Sequence, residues 1–330
     1  MDTADLDYDL PAGAIAQVPA EPRDSARLLV DRGPSRRPEH RRVADLADLL
    51  RPGDLLVVND TRVRAARLRL HKPTGGEVEV LLLEELDGGD WDALVRPSRK
   101  VRPGTVLTGS GGDGLSVEVG DDLGGGRRRV TVTGDPSASG EVPLPPYIHT
   151  ALRDPERYQT VYARRPRSAA APTAGLHLTD AVLDRCRAKG VAVASVELAV
   201  GLDTFKPLTV EHLEDHVMHS EAFTVSADVM GEVDRASRVV AVGTTVVRAL
   251  ESAAASGRLE GRTDLFITPG FEFKAVDVLM TNFHVPRTSL LALIAAFIGP
   301  RWRDVYALAL AEGYRFLSFG DAMLLERSPA

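Results

Sequence analysis

Apolar and polar positions fall into three textures along the chain. Up to residue 64, the short apolar runs Leu28-Leu29-Val30 and Leu55-Leu56-Val57-Val58 read as strands. Between them apolar residues recur at helical spacing over 43–50, and Pro52-Gly53 closes that segment. From 65 to 147, strand-like runs at 77–83, 91–95 and 129–133 are separated by glycine-rich turns with no long helical pattern. The glycine-rich stretch 109–126 reads as a hairpin tip, and the whole segment as a small antiparallel barrel or sandwich. Beyond 148, apolar strands at 191–200, 239–242, 265–267 and 277–280 alternate with helical patterns at 181–189, 246–256 and 289–297.

These textures predict an α/β fold: a discontinuous α/β domain with an inserted small antiparallel β-barrel domain. Residues 1–64 form the first part of the α/β domain, 65–147 the barrel-like insert, and 148–330 the second part, which holds most of the candidate motifs. No internal repeat or coiled-coil heptad interrupts this division.

Composition narrows the class only a little. With 44% hydrophobic and 26% charged residues, the 330-residue chain reads as an ordinary globular protein. A net charge of -7 does not advertise a nucleic-acid binder, yet a local basic surface is compatible with an acidic total, so neither RNA nor a small anion is excluded. The single cysteine, Cys186, rules out an internal disulfide and a cysteine-based zinc cluster, and its helical pattern favours a packed thiol. The acidic start at 1–9 lacks the regions of a signal peptide, and no apolar run reaches membrane-spanning length. A cytoplasmic location with no membrane partner is expected; the oligomeric state is not readable.

Candidate chemistry gathers in a few stretches. The run Ala169 to Asp180 concentrates small residues, Pro172, Gly175 and His177 immediately before a helix that Thr179 or Asp180 can cap; it is either a ligand cradle or a tight turn. Asn59-Asp60-Thr61-Arg62 follows an apolar strand, where α/β proteins bind ligands, although Asn and Asp also hold plain turns. Gly243-Thr244-Thr245 sits between strand and helix with Arg248 in the same first turn, suited to a carboxylate or phosphate; the bland reading makes Thr245 the N-cap. In 211–221, His212 and His216 frame H-L-E-D-H, which is not the H-E-x-x-H of zinc proteases, so no metal site is expected. His219 and Glu221 alternate as on a strand and point to proton transfer. Asn282 and His284 share a side of a strand leading into a helix, and Asp321 follows Gly320; packing and turn-capping are their competing readings.

Taken together and in order, these stretches resemble the S-adenosylmethionine:tRNA ribosyltransferase-isomerase family of the queuosine pathway. The resemblance rests on Tyr8-Asp9-Leu10-Pro11, Ile15-Ala16-Gln17, Asn59-Asp60-Thr61-Arg62, Pro145-Pro146-Tyr147-Ile148, Tyr158-Gln159-Thr160-Val161-Tyr162 and Ala171-Pro172-Thr173-Ala174-Gly175-Leu176-His177. It continues through Met218-His219-Ser220-Glu221, Gly243-Thr244-Thr245, Thr281-Asn282-Phe283-His284-Val285-Pro286 and Gly320-Asp321-Ala322-Met323. It implies an α/β domain carrying a β-barrel, S-adenosylmethionine as ribosyl donor and co-substrate with no further cofactor, and tRNA as partner.

The resemblance implies His177 and His219 as proton-transfer groups, with Glu221 orienting His219. It implies substrate contacts from Asn59, Asp60, Arg62, Pro172, Thr173, Ala174, Gly175, Gly243, Thr244, Thr245, Arg248, Asn282, His284 and Asp321, while Asp203, outside the family pattern, is a candidate to take over a role lost there. The chain departs from the family's L-H-V-G-x-G-T-F at Leu198-Ala199-Val200-Gly201-Leu202-Asp203-Thr204-Phe205, losing a His and gaining an acid. A paralogue with another acceptor, or a catalytically silent binder of S-adenosylmethionine or RNA, is the competing expectation.

Overall fold

A computed structural model describes residues 1–86, 88–109, 114–201 and 206–328. The chain divides into two compact units: residues 1–62, 145–165 and 171–330, and residues 63–144 with 166–170. The return of 166–170 to the second unit is a detail that the expected 148–330 boundary lacks.

The first unit begins with β1 (Arg27–Asp31), β2 (Glu39–Arg42), the short helix α1 (Leu46–Leu49) and β3 (Asp54–Asn59). After β4 (Thr61–Val63) come the strands of the second unit, β5 (Arg67–His71), β6 (Glu77–Glu85), β7 (Asp90–Arg96), β8 (Thr105–Thr108), β9 (Ser116–Gly124) and β10 (Arg127–Thr133). They close a barrel in the order β10-β7-β6-β5-β8-β9, antiparallel throughout. Alternation fills it: Leu68, Leu70, Val78 and Val80 are buried while Arg69 between the first two is exposed. The stretch expected to be a hairpin tip, 109–126, contains β9, because Val117 and Val119 alternate inward despite the surrounding glycines.

The helix α2 (Pro136–Ser139) and β11 (Arg165–Ser168) precede the long C-terminal part of the first unit. That part comprises α3 (Asp180–Ala188), β12 (Ala192–Leu198), β13 (Glu221–Thr224), α4 (Ala227–Arg235), β14 (Arg238–Val242), α5 (Thr244–Ser256) and β15 (Glu260–Thr263). It ends with β16 (Val278–Asn282), α6 (Ser289–Ile298), α7 (Trp302–Ala311) and β17 (Ala322–Glu326). The nine-stranded sheet runs β15-β13-β12-β3-β14-β16-β17-β1-β2. Its centre, β12-β3-β14-β16, is parallel, and its outer strands are mostly antiparallel.

Every residue of β3 and of β16 is buried, which explains the unbroken apolar runs 55–58 and 278–280 within them. Leu56, Val58, Val240, Val242, Met280 and Leu324 form one face of the core with Val182, Leu183 and Cys186 of α3, so the thiol is a packing group. The expected strand 265–267 is absent, and the edge is instead built by β13 and β15, whose sequences Glu-Ala-Phe-Thr and Glu-Gly-Arg-Thr carry little apolar signal. The run 314–319 bends: Leu317 has φ 68, and a Cβ on Gly320 would strike the carbonyl of Arg315.

Candidate active site

The parallel strands β3, β12, β14 and β16 end at Asn59, Leu198, Val242 and Asn282, at one end of the sheet. This is where open α/β sheets bind ligands. A cleft there has about 560 Å³ of empty space including its mouth, a size usual for small-ligand sites. Pro172, Thr173 and Ala174 line it from a 3-10 turn (Thr173–His177), with Gly243, Thr244 and Thr245 from the start of α5 and Thr281, Asn282 and His284 from β16 and beyond.

Local geometry explains the glycine before α5. Gly243 is the N-cap, in place of Thr245, at φ 96, and its N–H donates to the Met280 carbonyl at 2.8 Å. An L side chain would strain that backbone. The next amides, of Thr244 and Thr245, head the helix without intrahelical acceptors and carry the positive end of its dipole into the cleft.

His177 closes the 3-10 turn and is 4% exposed. Asn282 Nδ2 lies 3.0 Å from His177 Nε2, and Thr173 Oγ1 donates to Asn282 Oδ1 at 2.9 Å. Burial, reinforced by the charges of Arg315, Arg157 and Arg23, lowers the His177 pKa to about 4. Burial likewise lowers that of His284, whose Nε2 is 3.1 Å from Thr281 Oγ1, to about 3. Tyr8 donates its hydroxyl to the His284 carbonyl, while the Tyr306 hydroxyl accepts from its N–H at 3.0 Å, so this stretch is held from both backbone groups.

His219 and Glu221 are brought together beside a smaller cleft that shares Thr244, Thr245 and Leu290 with the first and is also lined by Met218 and Arg248. His219 Nε2 is 3.3 Å from Glu221 Oε1, which also accepts the Gly201 N–H at 2.9 Å. Glu221 Oε2 pairs with Arg248, itself tied to the Leu265 carbonyl at 3.1 Å. Burial alone works to raise the Glu221 pKa, but the His219 hydrogen bond, the Arg248 charge and the Gly201 N–H together hold it below the ordinary carboxylate value.

Other expected site residues lie elsewhere. Asn59 is fully buried and spends its amide on the Leu198 carbonyl, the Leu198 N–H, the Thr61 N–H and the Thr245 hydroxyl. Asp60 faces a separate polar cleft, accepting from the Ser195 hydroxyl at 2.9 Å, and Arg62 pairs with Glu156. Gly175 packs behind the cleft, where a Cβ would run into the Tyr162 hydroxyl and Thr160. Asp321 is 2% exposed and accepts the N–H groups of Arg27 at 2.9 Å and Arg315 at 2.8 Å. Asp203 lies outside the described residues, whereas Val200 before it lines the cleft. His212 pairs with Asp2 and His216 meets Phe266 edge-on; among the described residues no group of His, Cys, Asp or Glu is arranged to hold a metal.

Tyr147 and Ser318 also line the cleft, with hydroxyls 2.8 Å apart, and neither was expected there. Gln17 fixes the Tyr147 turn by donating to the Tyr147 carbonyl and accepting the His149 N–H, each at 2.9 Å. No local sequence pattern placed Tyr147 against residue 318.

Fold and cleft define an α/β protein with a barrel insert and a polar site at the parallel strand ends. The chain belongs to the family described as queuosine biosynthesis protein, which it matches over residues 3–325. It is 53% identical over 329 residues to the S-adenosylmethionine:tRNA ribosyltransferase-isomerase of Rubrobacter xylanophilus, covering 98% of each chain. To the protein of the same name from Thermus thermophilus it is 52% identical over 340 residues, covering 97% of this chain and 98% of that one. A crystal structure of an S-adenosylmethionine tRNA ribosyltransferase from Thermotoga maritima is also similar, with 37% identity, a TM-score of 0.56, and coverage of 97% of this chain and 99% of that one.

Proposed function

We propose that this protein is an S-adenosylmethionine:tRNA ribosyltransferase-isomerase. It transfers and isomerises the ribosyl group of S-adenosylmethionine onto the aminomethyl-7-deazaguanine base of tRNA, giving epoxyqueuosine-tRNA and releasing adenine and methionine. The observation that carries this reading is the end-to-end relationship to proteins of that name at about half identity, with 98% of both chains covered in the Rubrobacter xylanophilus comparison.

The chemistry asks for a base, a proton source for adenine and polar clamps. The positive sulfur acidifies the neighbouring ribose C5′ proton; a base removes it, adenine departs, the tRNA amine adds to the unsaturated sugar, and closure of the epoxide C–O bond breaks the carbon–sulfur bond and releases methionine. His177 and His219 are the proton-transfer candidates, with Glu221 orienting His219, and positioned groups of this kind contribute about 10²- to 10⁴-fold. The first turn of α5 and the Pro172-Thr173-Ala174 wall hold the donor's polar groups. The reading needs no metal or redox cofactor, because S-adenosylmethionine itself supplies the activated carbon.

The test is adenine release from S-adenosylmethionine, measured by chromatography with and without tRNA bearing the aminomethyl deazaguanine. Release that depends on this tRNA is expected. Release only with another acceptor, or none despite donor binding measured by calorimetry, would overturn the reading; the departures at Ala199 and Asp203 make both controls necessary.

A further inference from the structure

The amide of Asn282 can be oriented from its neighbours. The Asp321 carbonyl oxygen, 3.5 Å away, can only accept, so the side of the amide facing it is Nδ2; a flipped amide would set two acceptor oxygens against each other. The remaining oxygen, Oδ1, then meets the Thr173 hydroxyl at 2.9 Å, which donates to it. Nδ2 also lies 3.0 Å from His177 Nε2. Because an amide nitrogen only donates, Nε2 must be the bare ring nitrogen, and the ring proton sits on Nδ1.

We infer that Asn282 is a positioning residue that holds His177 as its neutral Nδ1–H tautomer, with the Nε2 lone pair already engaged, so that the base of the reaction is His219 and not His177. The inference rests on the proposed function for the word base, but the tautomer itself does not. Three observations converge on it. Asn282 and His177 are buried at 2% and 4% exposure, which keeps water from competing for either partner. The Arg23, Arg157 and Arg315 charges around the ring disfavour an imidazolium. His219, by contrast, keeps 25% of its side chain exposed and lies 3.3 Å from the Glu221 carboxylate, within reach of a substrate proton and of a group that orients the ring. Thr173 and Asn282 both line the cleft, so substrate contacts with them connect to the His177 ring through this chain of hydrogen bonds.

Long-range proton–nitrogen NMR of protein labelled with ¹⁵N-histidine tests this, with His177→Gln used to assign the signals. The wild-type His177 ring is expected to show a protonated Nδ1 and a bare Nε2, unchanged between roughly pH 6 and 8, a window on the neutral side of the ordinary histidine pKa. In Asn282→Asp the carboxylate accepts, so the ring proton moves to Nε2 and the titration moves up. A protonated Nε2 or a tautomer mixture in the wild type overturns the inference, whether or not the variant folds; so does an Asn282→Asp spectrum identical to wild type. Lack of adenine release from a wild-type protein with the Nδ1–H tautomer would instead sink the proposed function and leave the tautomer standing.

Discussion

The Glu221 carboxylate and the Arg248 guanidinium form an ion pair with 3% and 6% of their side chains exposed. Removing only the cation strands a carboxylate away from water. Arg248→Met is therefore expected to lower stability by roughly 3–5 kcal/mol in urea denaturation at neutral pH. Arg248→Met with Glu221→Gln should recover part of that loss, because no charge is left buried. The Glu221 pKa is depressed in the folded state, so its stabilisation is present above the ordinary value of 4.5 and is lost as pH falls through the folded value. Glu221→Gln should flatten this acid limb; equal acid sensitivity of the two proteins would refute the assignment.

His177 contributes an acid effect in a higher window. Its folded pKa is about 4 against an ordinary 6.5, so below pH 6.5 the unfolded chain binds the proton first and stability declines. The decline ends near pH 4, where both states are protonated, and amounts to on the order of 3 kcal/mol. His284, lowered to about 3, adds a similar term. His177→Gln is expected to remove roughly half of the decline between pH 6.5 and 4 in denaturant titrations. An unchanged slope would mean that the folded His177 titrates normally.

Gly175 matters for packing. Its added Cβ would enter the Tyr162 hydroxyl and meet Thr160 Cγ2 at 3.0 Å. Gly175→Ala should cost about 1–3 kcal/mol through overpacking. Combining it with Tyr162→Phe removes the oxygen in the way and should restore part of the loss, measured as a double-mutant cycle by thermal unfolding. Strict additivity would count against the contact.

Asp321 acts on the backbone. Its two oxygens accept the Arg27 and Arg315 N–H groups, which joins the start of β1 to the turn before β17. Asp321→Ala leaves both donors without that acceptor and is expected to destabilise by roughly 2 kcal/mol or more. Donor affinity measured well below the variant's melting range should stay near wild type; a selective loss of affinity with unchanged stability would mark Asp321 as a ligand group.

His219→Ala is expected to reduce adenine release by about 10²- to 10⁴-fold while S-adenosylmethionine still binds by calorimetry. Near-normal turnover with bound donor would eliminate it as the base. Dialysis against a chelator should leave wild-type turnover unchanged, and a loss restored by a divalent metal would contradict the metal-free reaction.

The sequence by itself determined the sheet's centre and most of its helices. Leu55-Leu56-Val57-Val58 and Val239-Val240-Ala241-Val242 had to be buried on both faces, since uninterrupted apolar runs leave no side for water. The cap ahead of α3 was readable because Thr179 accepts the Val182 N–H at 3.3 Å, a bond made within one turn. The strands β13 and β15 at this end of the sheet were not readable: polar residues suit a strand and a loop equally, and only the pairing of β13 with β12 and of β15 with β13 makes them strands.

For the site, sequence supplied the residue types and tertiary structure supplied their partners. Asn282 and His177 are 105 positions apart and Arg248 and Glu221 27 apart, distances over which helical or strand periodicity carries no information. Only the folded sheet, by bringing its strand ends together, decided that Asn59 spends its amide on Leu198, Thr61 and the Thr245 hydroxyl and that Asp321 accepts backbone N–H groups. The same convergence decided that Tyr147 and Ser318 share the cleft and that His177 and His219 occupy different electrostatic settings.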